Sequence, residues 1–171
     1  MNVDDLLALL SRGATVYDEP HVDALSHALQ CGELLRGEHP DDVELAVAGL
    51  VHDVADVVDP NDHRDHDARG AALVEPLLGP RVARLVGAHV VAKRYLVATD
   101  ARYRAELSAR SIETLDEQGG ALDLDACARL AADPNLDAIL ALRRADERAK
   151  DPTAAVPPLA SWRPSLELVA R

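Results

Sequence analysis

The sequence predicts an all-α fold, and three of its features support this. Apolar residues make up 48% of the 171 residues and aromatic residues only 2%, so the core must be built from Leu, Val and Ala. Ala and Leu favour helices. The apolar residues recur with helical spacing, and no segment indicates strands that pair into a sheet. The length fits a single domain over 1–171.

The first half of the chain divides into three helices and a loop. Residues 2–12 are amphipathic, and a glycine stops the pattern. Leucines with helical spacing predict a helix at 22–36. Acidic residues suited to a helix N-terminus precede 43–54, which is apolar almost all round and is therefore expected to be buried. Residues 56–65, rich in acids and histidines, are expected to form a loop.

The second half is also expected to be helical. Glycine and proline divide its apolar patterns, as Gly119 and Gly120 do after 101–117. The segment after Pro152 is punctuated by prolines. The predicted helices are 66–78, 80–91, 101–117, 123–132 and 135–149, with a short closing helix from Pro164.

Composition limits the partners. The net charge of −12 argues against nucleic acid, although a small anionic substrate can still bind a local basic pocket. No apolar run reaches the roughly 20 residues that span a membrane. An acidic N-terminus unlike a signal peptide, and two cysteines that make no disulfide framework, favour the cytoplasm. We expect a small-molecule partner, with neither nucleic acid nor membrane.

The adjacent pair His52 and Asp53 closes the most apolar helix of the chain. Burying such a pair without partners costs several kcal/mol, so it is kept where it is hydrogen-bonded or binds a metal. His27, His66, His89 and Asp146 lie on four other predicted elements. Each histidine alone could be a helix cap or a satisfied core residue. The ordered set offers imidazole and carboxylate ligands that suit iron, manganese or zinc.

This ordered pattern resembles the HD superfamily of metal-dependent phosphohydrolases in its two-metal form. The resemblance implies that His27, His52 and Asp146 hold one metal and that His66 and His89 hold the other. Asp53 would bridge the two ions. It further implies one helical HD domain, with its core at about 17–150 and a tail at 151–171.

A closer resemblance is to the mixed-valent diiron oxygenases that break carbon–phosphorus bonds, typified by the 2-amino-1-hydroxyethylphosphonate oxygenase. It rests on the segment from His89 to Val97 and on matches around His27, and it covers roughly residues 17–150. The family implies a bridged Fe(II)/Fe(III) pair, O2 as co-substrate and an organophosphonate cleaved to phosphate and a carboxylic acid. Tyr17 matches a tyrosine that guards the open iron position, and the implied catalytic residues are Tyr17 and Asp53.

The substrate-binding residues that the resemblance implies are cations, hydroxyls and an amide. Arg143 has a planar fork suited to phosphonate oxygens, and Ser111 and Thr114 share one helix face. On a helix, such residues are more often solvated or bonded to their own backbone. The implied set is Lys93, Ser111, Thr114, Arg143 and Gln118.

Two substrate-reading positions depart from the family. Asp56 stands where the oxygenases carry a histidine that contacts the phosphonate. In that position it would repel a phosphonate unless it is protonated or paired with a base. The alternative is that Asp56 faces solvent. Pro20 stands where they carry a glutamate that reads the substrate's amino group, and Glu19 is the nearest acid. We therefore expect a diiron oxygenase whose substrate differs from the aminoethyl compound.

Two alternatives remain open at this point. One is a two-metal phosphohydrolase that acts on a nucleotide or a small phosphate ester and needs no redox-active metal. The other is a regulatory module that keeps the fold and uses metals only structurally, although structural sites rarely keep an open coordination position.

Overall fold

A computed structural model describes residues 1–17 and 20–171, and its regular elements are helices, which confirms the all-α prediction. Short 3-10 turns lie at Arg12–Thr15 and Leu159–Trp162. None of the described helices is long and apolar enough to cross a membrane. The helices are α1 Val3–Ser11, α2 Ala24–Glu38, α3 Val43–Val51, α4 Val54–Val58, α5 His66–Val86, α6 His89–Thr99, α7 Tyr103–Glu106, α8 Ala109–Glu117, α9 Leu124–Ala131, α10 Leu136–Arg148 and α11 Arg163–Val169.

Helix α3 lies at the centre of the fold, as its apolar sequence predicts. It is buried from Leu45 to Val51 and packs against α2, α5, α10 and α11. Asp42 caps it by accepting a hydrogen bond from the backbone N–H of Leu45 at 3.0 Å. The helix crosses α2 closely at Gly49, where an added Cβ would lie 2.5 Å from a methyl group of Leu35.

Helices α4 to α6 differ from the sequence prediction at two places. The expected loop at 56–65 begins as helix α4, because Val54, Ala55 and Val57 are apolar and buried there. His89 was expected to end a helix, but it opens α6. The preceding helix ends at Val86, and a turn at Gly87 follows. Gly87 approaches Ala71 so closely that a Cβ added to Gly87 would lie 3.2 Å from the Cβ of Ala71.

Two further breaks divide the predicted helices. The expected break between 78 and 80 is present as a kink in α5 at Gly79, whose φ of 81° favours glycine. The expected helix at 101–117 is divided into α7 and α8. The division arises because Ser108 is extended and its Oγ accepts from the backbone N–H of Ser111 at 3.0 Å, so that it caps α8.

Both ends of the chain contribute to the core. Leu6 of α1 and Leu166 of α11 are fully buried, as is Trp162. The indole of Trp162 packs so closely on Gly32 of α2 that a Cβ there would lie 2.7 Å from the ring. The proline-punctuated segment after 151 therefore closes the core beneath α2 and α3.

Candidate dinuclear metal centre

The structure brings together six ligand-type side chains that lie far apart in the sequence. One comes from α2, two from the junction of α3 and α4, and one each from α5, α6 and α10. These residues are His27, His52, Asp53, His66, His89 and Asp146. They are the six that the sequence predicts as metal ligands.

The imidazoles form two pairs. Nε2 of His27 lies 3.2 Å from Nε2 of His52, and it lies 3.2 Å from Oδ1 of Asp146. Nε2 of His66 lies 2.9 Å from Nε2 of His89. Each pair thus points its ring nitrogens at a common point, as the ligands of one ion do.

Asp53 lies between the two pairs and presents one oxygen to each. Its Oδ2 lies 3.1 Å from Nε2 of His52 and 3.6 Å from Nε2 of His27. Its Oδ1 lies 3.7 Å from Nε2 of His66 and 3.5 Å from Nε2 of His89. This placement suits a carboxylate that bridges two ions.

The other ring nitrogen of each histidine is held by the backbone. Each Nδ1 donates to a backbone carbonyl oxygen at 2.7–3.1 Å. The pairs are His27 with Ala149, His52 with Gly49, His66 with His63 and His89 with Val86. With the proton on Nδ1, every Nε2 presents a lone pair. Two lone pairs that face each other repel, and a metal cation between the nitrogens of each pair would relieve this repulsion.

The charges at the centre also fit a cation. Burial and the neighbouring imidazole of His66 lower the pKa of His89 to about 3, so a proton does not fill this position near neutral pH. Burial lowers the pKa of His52, but the carboxylates of Asp53 and Asp146 outweigh it and raise that pKa. These carboxylates therefore create a field that favours a positive ion. The six donors fit two transition-metal ions.

A cavity of about 870 Å³ opens over the centre. Tyr17 lines it with 65% of its surface exposed, so its ring lies at the rim. Glu19 lies outside the described residues. The other residues that the sequence assigns to the substrate all line the cavity, namely Asp56, Lys93, Ser111, Thr114, Gln118 and Arg143.

Lys93 is a buried cation of this cavity. It lies one turn after His89 on α6, and its Nζ donates to Oγ1 of Thr114 at 2.7 Å. Burial, and then the charge of Arg143, lower the pKa of Lys93 to about 8. Nearby, Oε1 of Gln118 is buried without a hydrogen-bond partner among the described residues. The cavity thus holds an ammonium group with a hydroxyl beside it and an amide acceptor.

Asp56 is buried, and only 9% of its surface is exposed. The structure therefore does not place it in solvent, which was one of its two expected settings. Nδ1 of His63 lies 3.3 Å from its Oδ1. Burial, and then the charge of Asp53, raise the pKa of Asp56 to about 6.

The sequence reasoning missed a buried acid, Glu147. Its carboxylate accepts from the backbone N–H of Ser108 at 2.7 Å, from Oγ of Ser111 at 2.8 Å and from Nζ of Lys150 at 3.2 Å. It also accepts from the guanidinium of Arg143. The spacing of four residues between Arg143 and Glu147 on one helix was the available signal. Tyr103, Lys150 and His63 were missed as well.

No protein-family model matches the chain. The sequence is 33% identical over 147 residues to the [1-hydroxy-2-(trimethylamino)ethyl]phosphonate dioxygenase (glycine-betaine-forming) of Leisingera caerulea, covering 81% of this chain and 74% of that protein. It is 32% identical over 164 residues to the hydroxymethylphosphonate dioxygenase of Gimesia maris, covering 91% of this chain and 81% of that protein.

The chain belongs to the phosphonate dioxygenase family. This confirms the resemblance that the sequence indicates. All six ligand-type residues of this phosphonate dioxygenase except His52 line its cavity, and its buried lysine lies on the helix that His89 opens. The ligand-type residues could hold metal ions beside a cationic pocket.

Proposed function

We propose that this protein is an O2-dependent diiron oxygenase that cleaves the C–P bond of a small 1-hydroxyphosphonate. The products are phosphate and a carboxylic acid. One O2 per substrate balances the reaction: the carbinol C–H and C–P bonds are broken, and the products retain both oxygen atoms. The observation that carries this proposal is the placement of Asp53 between two pairs of facing imidazole nitrogens.

The proposed metal ligands divide into two sets. His27, His52 and Asp146 would hold one ion, and His66 and His89 the other, with Asp53 shared. When bound there, a mixed-valent iron pair would supply the Lewis acidity and the redox capacity for oxidation by O2.

The residues of the chain bind and orient the substrate. Lys93, held by Thr114, presents an ammonium group to the phosphonate. Ser111 and Arg143 line the same part of the cavity, although both also contact Glu147. With the phosphonate held there, the carbinol group would face the centre.

The relatives support this substrate class. Their names describe a substrate with a trimethylamino group and one without a substituent on the carbinol carbon, and both are 1-hydroxyphosphonates. The proposed substrate of this chain lies within that range. Asp56 replaces the family histidine and Pro20 replaces the family glutamate. From these two replacements we expect a substrate other than 2-amino-1-hydroxyethylphosphonate.

The test is metal content and EPR of anaerobically prepared protein, together with oxygen consumption and phosphate release. We expect about two irons per chain, a mixed-valent signal after mild reduction and a change of that signal on adding a 1-hydroxyphosphonate. One O2 should be consumed for each phosphate released. A protein that hydrolyses phosphate esters without O2, with manganese, magnesium or zinc bound, would be a two-metal phosphohydrolase instead.

A further inference from the structure

Both lysines of the chain line the cavity over the metal centre. Lysine and arginine together number 18, and Lys93 and Lys150 are the two lysines among them. Lys93 lies on α6, and Lys150 follows the end of α10. An ammonium group is a compact charge with three donors, whereas a guanidinium is a planar fork. A chain that otherwise relies on arginine therefore places its two ammonium groups in one cavity.

Lys93 is buried without a counter-ion. Only 5% of its surface is exposed. Its Nζ donates to Oγ1 of Thr114 at 2.7 Å and to the backbone carbonyl of Ser111 at 3.5 Å. Both acceptors are neutral, and no carboxylate in the described part of the chain forms an ion pair with this lysine. Since a buried charge without a partner is costly, the position suits an anion that binds from the cavity.

The two ammonium groups lie close to each other, on either side of Ser111. Nζ of Lys150 lies 2.9 Å from Oγ of Ser111, and Nζ of Lys93 lies 3.5 Å from its backbone oxygen. Burial and then the charge of Arg143 lower the pKa of Lys93 most, and the charge of Lys150 lowers it further. Two like charges at this separation repel, and an anion that contacts both relieves the repulsion. The three oxygens of a phosphonate allow it to accept from both groups.

The hydroxyl groups of α8 orient the two ammonium groups. Oγ of Ser111 accepts from Lys150 and donates to Oε2 of Glu147 at 2.8 Å. Oγ1 of Thr114 accepts from Lys93 and donates to a backbone carbonyl of its own helix at 3.1 Å. A hydroxyl has one proton to donate, and in both residues that proton is directed to the protein. The positive charge at this site therefore comes from the ammonium groups rather than from the hydroxyls.

An anion can compete for the contacts that hold Lys150. Its Nζ donates to the hydroxyl oxygens of Ser108 at 3.0 Å and Ser111 at 2.9 Å, and also to Oε1 of Glu147 at 3.2 Å. A hydrogen bond in which both groups are ionised is stronger than one to a neutral hydroxyl. A phosphonate oxygen can therefore replace a hydroxyl as the acceptor while Glu147 keeps the ammonium in place.

We propose that Lys150 is a second phosphonate-binding residue, and that Lys93 and Lys150 together make the anion site selective for a doubly charged anion. This inference rests on the proposed function and deepens it, because it names a further binding residue and the charge state of the group that is bound. Lys150 was not among the residues that the sequence assigns to the substrate.

The experiment compares methylphosphonate with methanesulfonate by calorimetry on the metal-loaded protein. The two ligands have the same shape, but the phosphonate can carry two negative charges and the sulfonate carries one. We expect the wild type to prefer methylphosphonate, and Lys150→Met to reduce the ratio of the two affinities by about 10-fold. A purely structural role of Lys150 would weaken both ligands alike and leave this ratio unchanged.

Two further variants complete the comparison. Lys150→Arg keeps the charge and should retain most of the preference for methylphosphonate. Arg148→Met is the matched control, since it removes a positive charge from the same helix end at an exposed residue that pairs with Glu38 and does not line the cavity. Its affinity ratio should equal that of the wild type.

Lysine-selective 13C labelling gives a second measurement on the wild-type sequence, because the two lysines give two sets of side-chain NMR signals. In zinc-loaded protein, methylphosphonate should shift the ε-methylene signals of both lysines, and the spectrum of Lys150→Arg assigns them. A shift confined to Lys93 overturns the inference. Equal affinity of the wild type for the two ligands, or an unchanged ratio in Lys150→Met, overturns it as well.

These measurements separate the inference from the proposed function, because binding needs no turnover. Lack of oxygen consumption with every hydroxyphosphonate rejects the proposed function, even if both lysines bind methylphosphonate. Oxygen-dependent cleavage in a protein whose Lys150→Met variant keeps the wild-type affinity ratio rejects the role of Lys150 alone.

Discussion

The guanidinium of Arg143 donates to Oδ2 of Asp146, whose Oδ1 faces Nε2 of His27 at 3.2 Å. Arg143 therefore contacts the back of a proposed metal ligand. Its Nε donates to the hydroxyl of Tyr103 at 2.7 Å, and its remaining contacts include Glu147. Burial raises the pKa of Asp146, but the charge of Arg143 outweighs it and holds that pKa well below its usual value. Arg143 is a positioning residue in this structure, while its contact with the substrate stays a prediction.

The first prediction is that Arg143→Ala destabilises the protein by about 3–5 kcal/mol, because it removes the guanidinium that pairs with the buried side chains of Asp146 and Glu147, of which Glu147 keeps an ion pair with Lys150. The loss is measured by urea unfolding at constant metal loading. Arg143→Lys keeps the charge but not the planar fork, so it should recover part of the stability while iron affinity stays reduced. Full stability of the alanine variant would contradict this account of the Asp146 contact.

The second prediction separates the two ions. Asp53 contributes to both groups, whereas His66 belongs to one. Asp53→Asn should therefore lower the binding of both irons, and His66→Asn should lower the content to about one iron per chain. Elemental analysis of protein loaded anaerobically with iron measures both outcomes. Equal losses of iron in the Asp53→Asn and His66→Asn variants would show that the carboxylate of Asp53 does not bridge the ions.

The third prediction concerns pH. Since the pKa of Lys93 is lowered to about 8, the ammonium is present below this pH and is lost above it. The kcat/KM for a hydroxyphosphonate should fall above pH about 8, with a slope of about −1 on logarithmic axes. The charged groups that set this pKa besides burial are Arg143, Asp146, Glu147 and Lys150.

Lys93→Arg is the control for that profile. Arginine remains charged throughout this range, so the decline should move to higher pH even if the variant is slower at its optimum. The same decline at pH 8 in Lys93→Arg would assign it to another group.

The cluster of ligand-type side chains could be predicted from the sequence because a His-Asp pair next to an apolar helix needs partners, and other histidines lie on neighbouring elements. The position of His89 at the start of α6 could not, since the turn before it depends on the close approach of Gly87 to Ala71 across α5. Only the i,i+4 spacing of Glu147 from Arg143 was visible in the sequence. Its partners Ser108 and Ser111 lie 39 and 36 residues away, and no local pattern reports such a contact.

Tyr17 allows a prediction that separates stability from reactivity. Because 65% of its surface is exposed, Tyr17→Phe should change the free energy of unfolding by no more than about 0.5 kcal/mol. If the hydroxyl guards the centre, the reduced variant should lose its mixed-valent EPR signal faster in air when no substrate is present. Unchanged decay of the signal would rule out the guarding role without affecting the metal ligands.

The last prediction links helix packing to the centre. Gly49 lies where α3 crosses α2, and a Cβ there would lie 2.5 Å from Leu35 and 3.3 Å from the backbone of Cys31. Gly49→Ala must therefore displace the buried Leu35 side chain and shift the contact between α3 and α2 by a few tenths of an ångström, which should destabilise the fold by about 1–3 kcal/mol despite the better helix propensity of alanine. The carbonyl of Gly49 also accepts from Nδ1 of His52 at 2.8 Å.

The same shift should move His52 relative to His27, whose Nε2 atoms lie 3.2 Å apart. We therefore expect Gly49→Ala to lower iron affinity as well as stability. Gly37→Ala is the matched control, because no atom lies within 4 Å of its Cβ position in α2. Thermal unfolding with and without iron separates the loss of stability from the loss of iron affinity. If Gly49→Ala unfolds at a lower temperature but iron raises that temperature as much as in the wild type, the helix contact does not set the histidine geometry.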